Sequence, residues 1–204
     1  MLAFKKKEER KMKTFWKTIL VFSVFLALSG VAYADDGDRD GGLEFKARLT
    51  GDQEVIDGQV PPLGTGSPAI GEIKVKFDKG FTKMDIDLEV STNTIGEIFR
   101  AHFHCGGPGQ NGPIIFGIFD PGPFPVSNIV EGTLTNADST GANCTMAIGR
   151  VVNNLASLAF AMRDGLIYAN VHTRPQFPGG EVRGQMIEVK KDHKDHDFHR
   201  DHSR

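Results

Sequence analysis

The sequence has no basic patch with interleaved aromatics and no glycine-rich phosphate loop. The first absence argues against a surface that follows a nucleic-acid backbone, the second against a nucleotide cradle. No Ser/His/Asp set stands out that would make an activated nucleophile. Internal repeats and a second core are also missing, so 204 residues allow one domain. Between His104 and His172 there is no histidine at all. Cysteine is reduced to Cys105 and Cys144. The apolar run Ile19 to Leu28, broken by Ser23, is shorter than the roughly 20 residues of a membrane span.

That short run has the surroundings of a signal peptide. Lys5, Lys6, Lys7, Arg10, Lys11, Lys13 and Lys17 form a basic region around its start, and Ala32-Tyr33-Ala34 is a small-x-small cleavage site before Asp35 and Asp36. Residues 1–34 are therefore predicted to be removed on export, with translation starting at Met1 or at Met12. The segment carries seven basic and two acidic side chains, so its loss leaves 17 basic against 24 acidic and a formal net charge of −7. An acidic mature chain points away from nucleic-acid partners, and no stable membrane span remains after cleavage. The expected location is secreted or periplasmic. In such a compartment Cys105 and Cys144 are expected to pair, closing a loop of 39 residues, with two buried thiols as the alternative.

Residues 35–42 read as a flexible, polar lead-in. Alternation of apolar and polar side chains then predicts strands over Leu43–Leu49, Ile70–Asp78 and Met84–Val90, with a hairpin at Asp78-Lys79-Gly80. Further strands are predicted over Ile95–Cys105, Pro113–Phe119, Ile129–Leu134, Leu166–His172 and Glu181–Val189. Thr50 to Ala69 reads as a loop. Val151, Leu155, Leu158 and Met162 recur at helical spacing before Gly165, which predicts one short helix. The fold class is all-β: a Greek-key sandwich or barrel, immunoglobulin-like or superoxide-dismutase-like. Residues 190–204 are too charged to dock by burial and read as a disordered, His-rich tail.

Four groups of residues carry chemistry. His102 and His104 lie two apart on a strand and so share a face, roughly 6–7 Å apart at Cα. Phe99, Ala101, Phe103 and Cys105 are expected on the opposite, core face. Two imidazoles on one rigid face make half a transition-metal site; a structural role is the alternative. In the second group, Tyr168, Asn170 and His172 share a face while Ala169 and Val171 point inward. His172 completes a three-imidazole set if the strands pair suitably; otherwise Asn170 and His172 bond loop backbone. In the third, Arg183 follows Gly179-Gly180 and either guides anions to a nearby metal or forms an ion pair. In the fourth, His193, His196, His199 and His202 recur every third residue of the tail, which either gathers metal or is simply solvated. Asp85, Asp87 and Glu89 read as the wet face of a strand, and Asn143-Cys144-Thr145 matches a glycosylation sequon.

Taken in order, His102-Phe103-His104-Cys105-Gly106, Pro108-Gly109-Gln110-Asn111-Gly112-Pro113, Tyr168-Ala169-Asn170-Val171-His172-Thr173 and Pro178-Gly179-Gly180-Glu181-Val182-Arg183-Gly184-Gln185 resemble the CHRD domain over about Leu43 to Val189. That domain takes its name from chordin, an extracellular inhibitor of bone morphogenetic proteins, and also occurs alone in exported microbial proteins. With one copy and no cysteine-rich modules, growth-factor binding is not implied here. The family has been likened to copper–zinc superoxide dismutase. By that resemblance His102, His104 and His172 are similar to copper ligands and Arg183 to an anion-guiding arginine. The bridging imidazole and the histidine zinc ligands have no counterpart.

These readings converge on an exported CHRD-like domain, residues 43–189, that acts as a binding or structural module with a His-based copper or zinc site. Its expected partners are extracytoplasmic proteins or polysaccharides, and no enzymatic activity is assigned. The alternatives are a copper-binding redox protein and a metal buffer acting through the tail.

Overall fold

Period-two alternation of apolar side chains produces the strands of this protein, and the two faces it creates decide where the core and the site lie. The structure is a computed structural model that describes residues 42–57, 64–91, 93–120, 124–125 and 127–190. The signal peptide, nearly all of the lead-in, and the tail with His193, His196, His199 and His202 lie outside the described residues.

The strands are β1 (Glu44–Thr50), β2 (Ile70–Phe77), β3 (Lys83–Val90), β4 (Glu97–Cys105), β5 (Ile114–Phe119), β6 (Ile129–Thr135), β7 (Ile167–Arg174), β8 (Val182–Gln185) and β9 (Ile187–Glu188). They form one sheet in the order β5-β4-β7-β8-β1-β2-β3-β6, with β9 also paired to β1. Every pairing is antiparallel. Just past β6, Ser139 bridges to Phe116 of β5, so the sheet nearly closes on itself. Read around the barrel, the order is 1-2-3-6-5-4-7-8. The connections after β3 and after β6 pass over strands rather than joining neighbours, which makes the barrel a Greek key.

The inward residues fill the barrel: Phe45, Ala47 and Leu49 from β1, Ile73, Val75 and Phe77 from β2, Met84, Ile86 and Leu88 from β3 are all at most 5% exposed. Asp85, Asp87 and Glu89 lie on the exposed face of β3, opposite Lys76, Lys74 and Glu72. On the β4–β7 side, Ala101, Phe103, Cys105, Ala169 and Val171 are buried as expected. Phe99 is not among them. Opposite β7, Ile98 pairs with Thr173 and Arg100 with His172, so Phe99 is the extra residue of a bulge. The bulge turns Ile98 into the core and leaves Phe99 half-buried beside His172.

Two short helices follow β6: α1 (Thr145–Ile148) and α2 (Leu155–Arg163). Helix α2 starts four residues later than the spacing from Val151 predicts. Asn154 and Ser157 form a capping box, and Leu155 N–H donates to Asn136 Oδ1, so the chain enters the helix at Leu155. Val151 is 58% exposed, whereas Leu155, Leu158 and Met162 pack into the core. The last predicted strand is interrupted at Met186, whose buried side chain separates β8 from β9.

Cys105 ends β4 and bonds to Cys144, with their Cα atoms 5.9 Å apart and both residues fully buried. The bridge ties the strand that carries His102 and His104 to the segment before α1. For a loop of this length the chain-entropy model gives about 3–4 kcal/mol of stabilisation. The double substitution Cys105→Ser, Cys144→Ser is expected to lower the unfolding free energy by about 3 kcal/mol in urea titration. A midpoint unchanged from the parent would show that the bridge adds nothing to the fold.

Candidate metal centre

Strands β4 and β7 pair with His102 opposite Asn170, His104 opposite Tyr168 and Arg100 opposite His172. Their common face, turned away from the barrel core, gathers three imidazoles. His102 is 2% exposed, His104 8% and His172 6%. One nitrogen from each lies within 4.8 Å of the other two. The convergence that depended on strand pairing is therefore present.

Backbone carbonyls orient two of the rings. His104 Nδ1–H donates to Gly112 O at 2.9 Å, and His172 Nδ1–H donates to Pro178 O at 3.0 Å. A carbonyl only accepts, so each ring carries its proton on Nδ1 and leaves an Nε2 lone pair turned into the cluster. His102 Nδ1 lies 3.1 Å from His172 Nε2. The other nitrogen of His102, Nε2, lies 3.8 Å from Asp120 Oδ2. Since His172 Nε2 is the acceptor, His102 donates to it from Nδ1 in the metal-free chain; moving that proton to Nε2, on the side of Asp120, would free the Nδ1 lone pair for a metal ion. A ligand imidazole held by an outer carboxylate or carbonyl is the usual arrangement around a protein-bound metal.

His104 Nε2 is buried and has no hydrogen-bond partner. Orphaned lone pairs of this kind are rare in a folded interior and indicate a missing partner. At metal–nitrogen distances of about 2.0–2.1 Å, tetrahedral ligand nitrogens stand roughly 3.3 Å apart. The His102–His172 pair, at 3.1 Å, is close to that spacing, and the widest pair of the three, within 4.8 Å, would have to close by up to about 1.5 Å. Three neutral imidazoles form a donor set that could hold a transition-metal ion.

The surroundings brace the site. Tyr168 stacks on His104 at 4.9 Å between ring centroids and 11° between planes, and its hydroxyl accepts from Gly112 N–H at 3.3 Å. Arg183, expected to guide anions or form an ion pair, is 1% exposed. Its guanidinium lies 3.4 Å from the Tyr168 ring centroid and donates to Gly107 O, Gln110 O and Asn111 Oδ1. Its donors hold the 106–112 loop, whose Gly112 carbonyl aims His104. Arg100, opposite His172 on the neighbouring strand, is exposed, and its Nε lies 2.8 Å from Asp120 Oδ1. Glu181, fully buried, accepts from Ser67 Oγ, Ile95 N–H and Thr173 Oγ1. It thereby pins the turn that carries Pro178 against two loops.

Sequence reasoning missed Asp120, Glu54 and the two orienting carbonyls. Glu54 came from a segment read as loop, yet it is 4% exposed and accepts from Asn170 Nδ2 at 2.9 Å. Burial holds its carboxyl above the ordinary range, opposed by the Asn170 bond and the nearby Arg183 charge. The glycine pair of the turn offered an indirect signal. Gly180 has φ +137°, and a Cβ there would overlap both Asn170 Nδ2 and Glu54 Oε1.

Compared with known families, residues 45–186 match the CHRD domain. No curated protein matches the chain.

Burial pushes His102 and His104 from the ordinary 6.5 down to about 4, and lowers His172 as well. Between pH 6.5 and 4 the unfolded chain thus binds protons that the fold does not, so stability must fall as the pH falls through that window. Urea midpoints of the metal-free protein at pH 7.5, 5.5 and 4.5 are expected to decline in that order. Replacing His104 by Gln is expected to flatten the decline, and an equal slope in parent and variant would contradict this account.

Proposed function

This chain belongs to the CHRD domain family, and we propose that it is an exported binding module that holds one copper or zinc ion on His102, His104 and His172. The observation that carries the reading is the buried, unpartnered Nε2 of His104, facing two further imidazole nitrogens on a braced strand pair. Three neutral ligands leave one coordination position open, which suits a site that takes up an exchangeable ligand. Such an ion supplies a Lewis-acidic or redox-active centre when bound. The protein supplies ligand orientation through Gly112 O and Pro178 O, a carboxylate near His102, and burial that keeps the imidazoles unprotonated at neutral pH. No histidine lies between His104 and His172 to bridge to a second ion, which supports reading the site as one for a single ion.

Export is supported by the basic region, the short apolar run and the small-x-small site before Asp35. The Cys105–Cys144 disulfide fits the oxidising compartment this implies. Among the described residues no helix is long and apolar enough to cross a membrane.

Two measurements test the reading. Secretion by a bacterial host followed by N-terminal sequencing is expected to give Asp35 as the first residue; retention of residues 1–34 would refute export by cleavage. Titration with Cu(II) and Zn(II) uses protein in which His193, His196, His199 and His202 are replaced by Asn. One ion per chain is expected, with affinity cut at least about tenfold by His104→Ala. Metal uptake that disappears with the tail histidines alone would make this a tail-based buffer instead.

A further inference from the structure

The structure's two buried side-chain polar atoms without a partner, among the described residues, are His104 Nε2 and Asn170 Oδ1. They belong to paired strands and to one face. Asn170 lies directly opposite His102 and two residues before His172, and is 2% exposed. Its amide orientation is set by its neighbours: Nδ2 donates to Glu54 Oε1 at 2.9 Å and toward Gly179 O at 3.5 Å. Both partners are acceptors, so the amide cannot turn over without setting its oxygen against a carboxylate and a carbonyl. Gly180 leaves room for this arrangement and for no side chain of its own. Asn170 Oδ1 is consequently held in place, away from Glu54, as an acceptor that lacks a donor.

The two orphans are chemically complementary. The imidazole nitrogen needs a Lewis acid, and the amide oxygen needs an O–H or N–H group. A metal ion held by His104 Nε2 and carrying a protonated oxygen ligand on the Asn170 side would satisfy both atoms, because Asn170 lies directly opposite His102 on the same face. Resting on the metal reading above, we infer that Asn170 is a specificity-determining residue for the open coordination position. Its carbonyl oxygen selects small ligands that donate a hydrogen bond, water or hydroperoxide, over anions that carry no proton. An aprotic anion such as azide would displace the water and strand Asn170 Oδ1 again, at a cost typical of a buried acceptor left unpaired.

The test uses the chain with its four tail histidines replaced by Asn, loaded with one equivalent of Cu(II). Azide binding is followed by its charge-transfer absorption. Asn170→Leu removes the acceptor and is expected to bind azide about tenfold more tightly than the parent, with Cu(II) affinity within about threefold. Equal azide affinity in parent and variant, with copper retained, would overturn the inference. Electron–nuclear double resonance on the unsubstituted Asn170 protein, in H2O and in D2O, tests it without any substitution at that position. A strongly coupled exchangeable proton at the copper is expected, and its absence would equally overturn the role of Asn170. A parent that takes up no Cu(II) or Zn(II) would instead remove the metal reading itself.

Discussion

Because β4 and β7 run antiparallel with His102 opposite Asn170 and Arg100 opposite His172, one face of a two-strand ribbon gathers all three imidazoles. The rest of the molecule holds that register. The opposite face of the same ribbon is packed into the barrel through Ala101, Phe103, Ala169 and Val171, each at most 1% exposed. A one-residue slip of β4 would exchange Ala101 and Phe103 for His102 and His104 and turn two imidazoles into the hydrocarbon core. The hydrophobic packing of one face therefore enforces the geometry of the other, and the disulfide at Cys105 fastens the end of the strand that carries His102 and His104.

The site is polar and buried together, a costly combination unless each group is satisfied. Most of that satisfaction comes from loops. The 106–112 loop presents Gly112 O to His104 and is tied down by Arg183; the turn after β7 presents Pro178 O to His172 and is tied down by Glu181. Arg183 and Glu181 are fully buried charged residues two apart, each spent on a different loop. This division of labour explains why the Pro178–Gln185 segment, which contributes no imidazole to the cluster, sits so close to it. Two atoms escape the accounting, His104 Nε2 and Asn170 Oδ1, and both lie on the face where a ligand would sit.

The CHRD match runs from the second residue of β1 to Met186, between β8 and β9, so the family match and the histidine cluster occupy the same structural unit. The strand order 1-2-3-6-5-4-7-8 makes that unit a Greek-key barrel rather than two separate sheets.

Alternation along the chain determined the strands, the core residues of β1 to β3 and the shared face of His102 and His104, because side-chain direction along a strand follows from local geometry alone. The pairing of Cys105 with Cys144 was expected from an oxidising compartment, with two buried thiols as the alternative, and the structure has the bond. The start of α2 was misplaced because Asn154 and Asn136 both bear on its first turn, and Asn136 is distant in sequence. The bulge at Phe99 was invisible because it arises from pairing with β7. Arg183 was legible as important, yet its role depends on a loop folded over it. Glu54 enters the site from a stretch of prolines and glycines with no periodicity to read. What the sequence by itself determined was which residues share a face. Only the tertiary structure decided which faces meet, since strand register and loop placement depend on contacts between residues as far apart as Glu54 and Asn170.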